Sequence, residues 1–270
     1  MDIRKKLRIG KLEKRLMLDA SLAGLAGTQV FAENTINDTP QQIDSDVTIA
    51  GATTDFDGES LTISHNGDAQ DQLSIHNEGT GTGQISVSGS TVSYGGTAIG
   101  TITSDGSNGS DLVIEFDATT SQAALERLIE NITYQNTSDA PTALRAATIT
   151  LTTASGAATD FSNTVNLAVS PENDKAVMNG GSSFHVADGE SYILTASDLD
   201  ISDPDNADSE LTVNITDMLY GYLERVSNAG VEITSFTYDE LLAGDIRYVN
   251  DDGDFVTDGY IQFEIFDGTD

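Results

Sequence analysis

Acidic side chains recur along this chain in short clusters with one or two residues between them. Such clusters suit Ca²⁺, a hard cation that takes roughly six to eight oxygen ligands from carboxylates and carbonyls on flexible loops. The sequence therefore predicts Ca²⁺ as the cofactor. The candidate ligands are Asp55, Asp57, Glu172, Asn173, Asp174, Asp188, Glu190, Asp203, Asp205 and Asp208.

The strongest candidate is the pair Asp203 and Asp205, which is followed by Asp208. A second group, Glu172–Asp174, could share an ion with this pair, and such sharing would stiffen the joint between two modules. The alternative is that Asp and Asn only form turns and cap strands. The acidic loop Asp251–Asp258 leaves the same two alternatives open.

Catalytic arrangements find little support in the sequence. The chain has no Cys, and His65, His76 and His185 lack the spacing of a zinc site or of a Ser-His-Asp triad. Carboxylate pairs for glycoside hydrolysis occur in any chain this acidic, so they carry no weight. We therefore expect a protein that binds and is not an enzyme.

Charge is distributed unevenly. The net charge is −32, yet residues 1–15 contain seven bases against two acids, which leaves five bases against 42 acids elsewhere. This acidic body would repel nucleic acid, so we predict no nucleic-acid partner. The basic N-terminus could contact a membrane surface or a retention partner. No run of about 18 apolar residues occurs, so no transmembrane segment is predicted.

Secondary structure is predicted to be almost entirely β. Segments in which apolar and polar residues alternate, such as 61–64 and 112–116, are separated by Gly, Asn and Asp turns. One helix is predicted at Ser121–Glu130, with Thr120 or Ser121 as its N-cap. Its apolar face consists of Ala124, Leu125, Leu128 and Ile129.

An internal repeat at a constant offset of 114 residues divides the chain into two related modules. The first set of matches is Glu126, Leu128, Ile132, Tyr134 and Asn136 with Glu240, Leu242, Ile246, Tyr248 and Asn250. The second set is Ala147, Ile149 and Leu151 with Ile261, Phe263 and Ile265. The first module also carries an insertion of about 36 residues, which we assign to hairpins between residues 65 and 110.

The predicted organisation has five parts: a basic, partly helical or disordered N-terminal segment (1–22), a linker (23–41), a module with an insertion (42–170), a linker (171–178) and a second module (179–270). The first module closes with an alternating strand at 164–169, for which the second module has no equivalent. Because the unpaired edge would promote aggregation, we expect the native protein to continue beyond residue 270.

Two segments resemble known families. Leu12–Ala20 is similar to the Leu-Glu-Pro-Arg-x-Leu-Leu-Asp segment near the start of giant repetitive bacterial surface adhesins, with Lys14 in place of Pro. Residues 180–270 look like a chondroitin-sulfate-proteoglycan or cadherin-like repeat, and residues 42–175 resemble the longer modules of the same giant proteins more weakly. The motifs of the repeat are Asp188–Glu190, Asp203–Asp205, Phe236–Glu240, Ile246–Asn250 and Phe266–Gly268.

The resemblance implies tandem Greek-key cadherin-like β-sandwiches that are exported by type I (RTX) or comparable secretion to the bacterial cell surface. It also implies calcium-dependent cell adhesion or biofilm formation, in which the extracellular modules bind a cell-surface or polysaccharide ligand, or another copy of the protein. The alternative is a non-catalytic carbohydrate-binding portion of a large secreted hydrolase. A catalytic domain elsewhere in the full-length protein would distinguish the two.

Overall fold

The computed structural model describes residues 20–51, 56–154, 159–181, 183–251 and 260–269. The chain divides into two compact units, and the division falls between Ser170 and Pro171. Both units consist mainly of antiparallel strands around their own hydrophobic core, so the all-β prediction is confirmed. The predicted N-terminal segment lies outside the described residues as far as residue 19. Among the residues described, no helix is long and apolar enough to span a membrane.

The described residues of unit one form 13 strands and two helices. Its strands are β1 Ser21–Ala23, β2 Thr28–Ala32, β3 Gln41–Gln42, β4 Thr48–Ala50, β5 Ser60–His65, β6 Asp71–Ile75, β7 Ile85–Ser88, β8 Thr91–Tyr94, β9 Thr97–Asp105, β10 Leu112–Phe116, β11 Ile132–Asn136, β12 Leu144–Thr152 and β13 Thr159–Ser170. Its helices are α1 Glu33–Asp38 and α2 Gln122–Glu130.

The described strands of unit one form three sheets around its core. The largest has the order β2-β13-β12-β5-β10-β9-β8-β7, the second has the order β3-β11-β6, and β1 pairs with β4. Alternate residues of the central strands point inward, so that Leu61, Ile63, Ile149 and Leu151 are fully buried. The predicted insertion forms the β7-β8-β9 extension of the largest sheet, and it begins only after β6.

Helix α2 is the predicted helix. The Ser121 side chain accepts a hydrogen bond from the backbone N–H of Ala124 at 3.2 Å, which satisfies one of the free donors of the first turn. The four residues of the predicted apolar face are all buried. Helix α2 is the one helix among the described residues of the predicted module 42–170, and α1 lies before that module, within the predicted linker.

The predicted linker 23–41 is part of the folded unit, as is the end of the predicted N-terminal segment. Ile36 of α1 is fully buried, and Leu22 of β1 packs in the same core. Strand β2 runs parallel to β13, with Val30 opposite Ala168. The linker prediction is wrong for two reasons. The apolar residues that contact the core are few and widely spaced among polar ones, and the strand that pairs with β2 lies far along the chain.

In the part of unit two that the structure describes, there are eight strands, one α-helix and a short 3₁₀ helix, Val226–Asn228. The strands are β14 Val177–Met178, β15 Ser191–Ile193, β16 Ile201–Ser202, β17 Thr212–Leu219, β18 Tyr222–Arg225, β19 Ser235–Thr237, β20 Ile246–Val249 and β21 Tyr260–Phe266, and the helix is α3 Tyr238–Leu242. The sheets have the orders β15-β20-β18 and β19-β17-β21, and β14 pairs with β16.

Each strand of unit two has a counterpart in unit one, in the same chain order. The sheet β15-β20-β18 matches β3-β11-β6, β19-β17-β21 matches β10-β5-β12, and β14-β16 matches β1-β4. The predicted linker 171–178 therefore contains the first strand of unit two, as 23–41 contains part of unit one. For β12 and β21, the correspondence in the structure differs by two residues from the predicted offset of 114. Ile149 pairs with Ile63 and Ile265 with Val213, so Ile149 corresponds to Ile265 and not to Phe263.

Candidate metal centre

The turn after β16 holds the strongest predicted pair, Asp203 and Asp205. The Asp203 Oδ1 atom accepts hydrogen bonds from the backbone N–H groups of Asp205 and Asn206, both at 2.8 Å. This is the turn-forming role of Asp. The other carboxylate oxygen, Asp203 Oδ2, is buried without a hydrogen-bond partner among the described residues, and so is Asn206 Oδ1. The turn thus holds two buried acceptor atoms that its own hydrogen bonds do not use.

The segment that enters unit two is hydrogen-bonded to this turn. The backbone N–H of Asp174 donates to Asp205 Oδ2 at 2.8 Å. The side-chain amide of Asn173 donates to the carbonyl oxygen of Asp174 at 2.8 Å and to Asp267 Oδ2 at 3.1 Å. The start of unit two, the Asp203 turn and the residue after β21 are therefore connected through side-chain oxygens.

Asp267 is buried at the end of β21. Its Oδ1 atom accepts hydrogen bonds from the backbone N–H and the hydroxyl of Thr269, each at 3.0 Å. These bonds, the backbone one first, lower the pKa of Asp267 despite the opposing effect of burial. Asp267 is therefore an anion at neutral pH. We call Asp174, Asp203, Asp205, Asn206 and Asp267 the oxygen cluster.

The oxygen cluster fits a hard cation by the type of its donor atoms. Carboxylate and amide oxygens are the ligands that Ca²⁺ prefers, and each buried acceptor left without a partner costs about 1–3 kcal/mol. A cation bound to Asp203 Oδ2 and Asn206 Oδ1 would remove that cost. In the part of the chain that the structure describes, however, no three acidic or His side chains converge as the ligands of one ion. The cluster therefore provides suitable oxygen atoms, but the described acidic side chains do not form a complete coordination shell around one position.

The other predicted ligands of unit two lie outside the oxygen cluster. Asp208 is exposed at the end of the same turn, and its carbonyl oxygen accepts the N–H of Asp239 at 3.2 Å. Asp188 and Glu190 occupy a separate turn beside Asn250, whose N–H donates to the carbonyl oxygen of Glu190 at 3.0 Å. Sequence proximity grouped these acids, but the strand pairing separates them.

Glu172 is exposed, two residues before Asp174 in the segment that enters unit two. In unit one, Asp57 is exposed in the turn that follows Phe56, and its predicted partner Asp55 lies outside the described residues. The neighbouring Glu59 is buried directly before β5.

Two members of the oxygen cluster, Asn206 and Asp267, were not among the predicted ligands. Asn206 directly follows Asp205, so extending the predicted Asp203/Asp205 motif by one residue would have found it. Asp267 carried no such local signal. It reaches the cluster because β21 pairs with β17, which places Phe266 opposite Thr212, close to the end of the Asp203 turn.

A second polar cluster is buried in unit one and was not predicted. Asp71 is fully buried and accepts hydrogen bonds from Arg145 Nε at 2.8 Å, the Tyr134 hydroxyl at 2.5 Å and Asn136 Nδ2 at 2.9 Å. Burial raises the pKa of Asp71, but these bonds outweigh it and hold the pKa below its ordinary value of 3.8. All the donors belong to the protein, so this cluster stabilises the fold.

Comparisons with known proteins find matches over part of this chain. Residues 176–270 match a family model described as cadherin-like. Over 105 residues, 38% of this chain, the sequence is 33% identical to chondroitin sulfate proteoglycan 4 of Homo sapiens and 30% identical to the proteins of the same name from Rattus norvegicus and Mus musculus. The match spans only 4% of the length of each proteoglycan. The predicted resemblance of unit two to a cadherin-like repeat is therefore confirmed.

Proposed function

We propose that the two units are extracellular, calcium-binding adhesion or spacer modules of a large bacterial surface protein, with a binding role and no catalytic one. The observation that carries the calcium part is the pair of buried acceptor atoms, Asp203 Oδ2 and Asn206 Oδ1, in one turn. The cadherin-like match of unit two supports the adhesive or spacer role and the location outside the cell.

In this proposal, Asp203 and Asn206 would hold the ion, and the other members of the oxygen cluster would complete its ligands. The ion supplies positive charge and oxygen coordination at the point where three segments of unit two meet. Asp174 belongs to the segment that enters the unit, and Asp267 directly follows β21. Ca²⁺ would therefore fix the entry of the chain into unit two, as a load-bearing spacer requires.

The charge of unit two also favours a divalent cation. Residues 171–270 contain 23 acids and three bases. Repulsion among so many carboxylates opposes folding, and salt screens it only in part over distances shorter than about 8–10 Å. Binding of Ca²⁺ to the oxygen cluster would offset some of this repulsion, and it would do so most strongly at low ionic strength.

The test is a calorimetric calcium titration of the metal-free full chain, together with its melting temperature. We expect calcium uptake by the native chain and a higher melting temperature of unit two, because at 100 times the dissociation constant a bound ligand adds about 2.7 kcal/mol of stability. Asp203→Asn should weaken calcium binding at least about tenfold, because it removes a charged ligand. Asp208→Asn removes the same charge outside the cluster and should bind as the native chain does. The absence of calcium uptake at millimolar concentration, with an unchanged melting temperature, would contradict the proposal.

For adhesion, we propose a cell-surface or polysaccharide ligand, or a second copy of the protein. The expected result is calcium-dependent adhesion of beads coated with the full chain to bacterial cells or to each other. The Asp203→Asn variant should lose that adhesion, and the Asp208→Asn variant should keep it. Equal adhesion of both variants with and without EDTA would show that adhesion does not depend on calcium binding.

A further inference from the structure

A cleft of about 260 Å³ lies in unit two, on the outer face of β17 and β21. Exposure alternates along β21, so Glu264 and Phe266 are exposed while Ile265 between them packs against the core. Asn214 of β17 lies opposite Glu264 in the strand pairing. Lys175 lines the cleft from the segment that enters the unit. The cleft is therefore bounded by an aromatic ring, an amide and side chains of both charges.

Asp267 belongs both to the cleft and to the oxygen cluster. Its Oδ1 atom already accepts hydrogen bonds from Thr269, and its Oδ2 atom accepts one from Asn173. The polar and aromatic side chains of β17 and β21 take no part in those bonds. We therefore assign the contacts with a ligand to these two strands, and the cleft is distinct in its chemistry from the candidate metal centre.

The shared fold of the two units does not require the side chains of the cleft. The corresponding positions of unit one hold small hydroxyl side chains, Ser64, Thr148 and Thr150. Thr150 occupies the position of Phe266, and it is hydrogen-bonded to Ser162 of the next strand at 3.0 Å. The Phe266 ring is 39% exposed, so it contributes less to folding than a buried ring does. Exposed aromatic side chains in a cleft are typical of ligand contacts.

The polar groups of the cleft favour a ligand that both donates and accepts hydrogen bonds. The Lys175 ammonium only donates, the Glu264 carboxylate only accepts, and the Asn214 amide does both. Sugar hydroxyls also do both, and the C–H face of a sugar ring is apolar enough to lie against an aromatic ring. An acidic sugar would meet the carboxylates of Glu264 and Asp267 in a unit with 23 acids against three bases. The cleft therefore suits a neutral sugar.

We propose that this cleft binds one ring of a neutral polysaccharide, with the C–H face of the sugar on Phe266 and its hydroxyls hydrogen-bonded to Asn214 and Glu264. The volume fits a single ring, because it lies below the roughly 300–1,000 Å³ of pockets that enclose drug-sized ligands. The exposure of Phe266 leaves the cleft open to solvent, so a ring within a longer chain can enter. The inference rests on the adhesive role in the proposed function, for which it names the ligand and the site, and it requires no bound calcium ion.

A basic peptide is a poorer occupant of the cleft than a sugar, although the net charge of unit two would attract it. Lys175 would repel an ammonium or guanidinium group inside the cleft. Such a group also cannot accept the hydrogen bonds that the Lys175 ammonium and the Asn214 amide donate. Attraction to the acidic surface as a whole would not depend on Phe266, which gives the experiment a way to tell the two ligands apart.

The experiment measures binding of the full chain to neutral oligosaccharides of glucose, galactose, mannose and N-acetylglucosamine by saturation-transfer NMR and titration. An alginate oligosaccharide is the anionic comparison, and hexalysine is the cationic one. We expect binding of at least one neutral sugar, equally with calcium and in EDTA. Phe266→Ala should weaken that binding at least about tenfold, as the loss of an aromatic anchor does. The matched control is Gln262→Ala, which truncates an exposed residue on the same face of β21 outside the cleft and should bind as the native chain does.

Three results would overturn the proposal: no binding of any neutral sugar, equal binding by the native chain and Phe266→Ala, or tighter binding of alginate or hexalysine than of the neutral sugars. Calcium uptake of Phe266→Ala should equal that of the native chain, because this side chain supplies no oxygen ligand. Calcium uptake without sugar binding would overturn the cleft alone, and sugar binding without calcium uptake would overturn the calcium site alone. Sugar binding by a chain whose coated beads do not adhere would support the cleft and contradict the adhesive role.

Discussion

Replacing Arg145 by Met would test how much the buried polar cluster of unit one contributes to stability. Arg145 is 7% exposed and donates to Asp71, which is fully buried, and its second guanidinium nitrogen lies 3.3 Å from Asp68 Oδ2. Methionine keeps most of the side-chain volume but leaves a buried carboxylate without its cation. Removal of one partner of such a pair costs about 3–5 kcal/mol.

The matched control is Arg225→Met in unit two. Arg225 donates two hydrogen bonds to one carboxylate, that of Glu240, at 2.7 and 2.8 Å, but both side chains are 31% exposed. Exposed pairs contribute about 0.2–1 kcal/mol because water screens them. Hydrogen exchange of the full chain reports on each unit separately. At about 1.4 kcal/mol per tenfold change, Arg145→Met should speed the slowest exchange of unit one at least about a hundredfold. Arg225→Met should speed that of unit two about fivefold at most.

The pH dependence gives a second readout of the Arg145 variant. In the native chain the pKa of Asp71 lies below its ordinary value of 3.8, so Asp71 stabilises unit one above that pH, and this contribution is lost as the pH falls through the folded-state pKa. Without Arg145, the pKa of Asp71 is higher than in the native chain, because burial is then opposed by fewer hydrogen bonds, and the variant recovers part of its deficit when the carboxyl takes up a proton. The difference between variant and native chain should therefore shrink towards pH 4. Equal costs of the two Met variants, or a difference independent of pH, would refute this reasoning.

Two smaller predictions concern local geometry in unit two. Gly221→Ala should destabilise the unit more than Gly230→Ala by about 1–3 kcal/mol, measured by urea unfolding. Both residues have φ near +80°, so the backbone strain is common to both variants. Only at Gly221 would the new Cβ lie 2.1 Å from the Val249 carbonyl oxygen. Similar costs for both would contradict the close contact. Thr237→Ala should cost about 1 kcal/mol by the same measurement, because Thr237 and Glu240 form the capping box of α3, whereas an unchanged unfolding midpoint would mean that the cap contributes nothing.

Sequence patterns predicted the elements whose signals are local. Helix α2 follows from a capping residue and apolar residues on one face, and the repeat then located α3 and β20 in unit two. Strand β2 could not be predicted in the same way. Its pairing partner β13 lies more than a hundred residues away, and its segment looks like a polar linker because the apolar residues that reach the core, such as Phe31 and Ile36, are few and widely spaced. Pairing between distant segments leaves no periodic signal in either one.

The candidate metal centre was predictable to a similar extent. The Asp203/Asp205 motif and its link to Asp174 are visible in the sequence, and hydrogen bonds of the folded chain join them. The contribution of Asp267 depends on the register of β21, which no local pattern fixes. Burial of one carboxylate oxygen and not the other, as at Asp203, also depends on the packed turn. The acidic character of this turn was therefore readable from the sequence, but the full set of residues that surrounds it was not.

The most direct measurement for the central claim is a crystal structure of the full chain grown with Ca²⁺, with an anomalous difference map. The proposal predicts a calcium peak about 2.3–2.6 Å from Asp203 Oδ2 and Asn206 Oδ1, with further oxygens from Asp174, Asp205 or Asp267 around it. A map with no peak at the turn after β16, while Asp203 Oδ2 and Asn206 Oδ1 are hydrogen-bonded to ordered water, would contradict it.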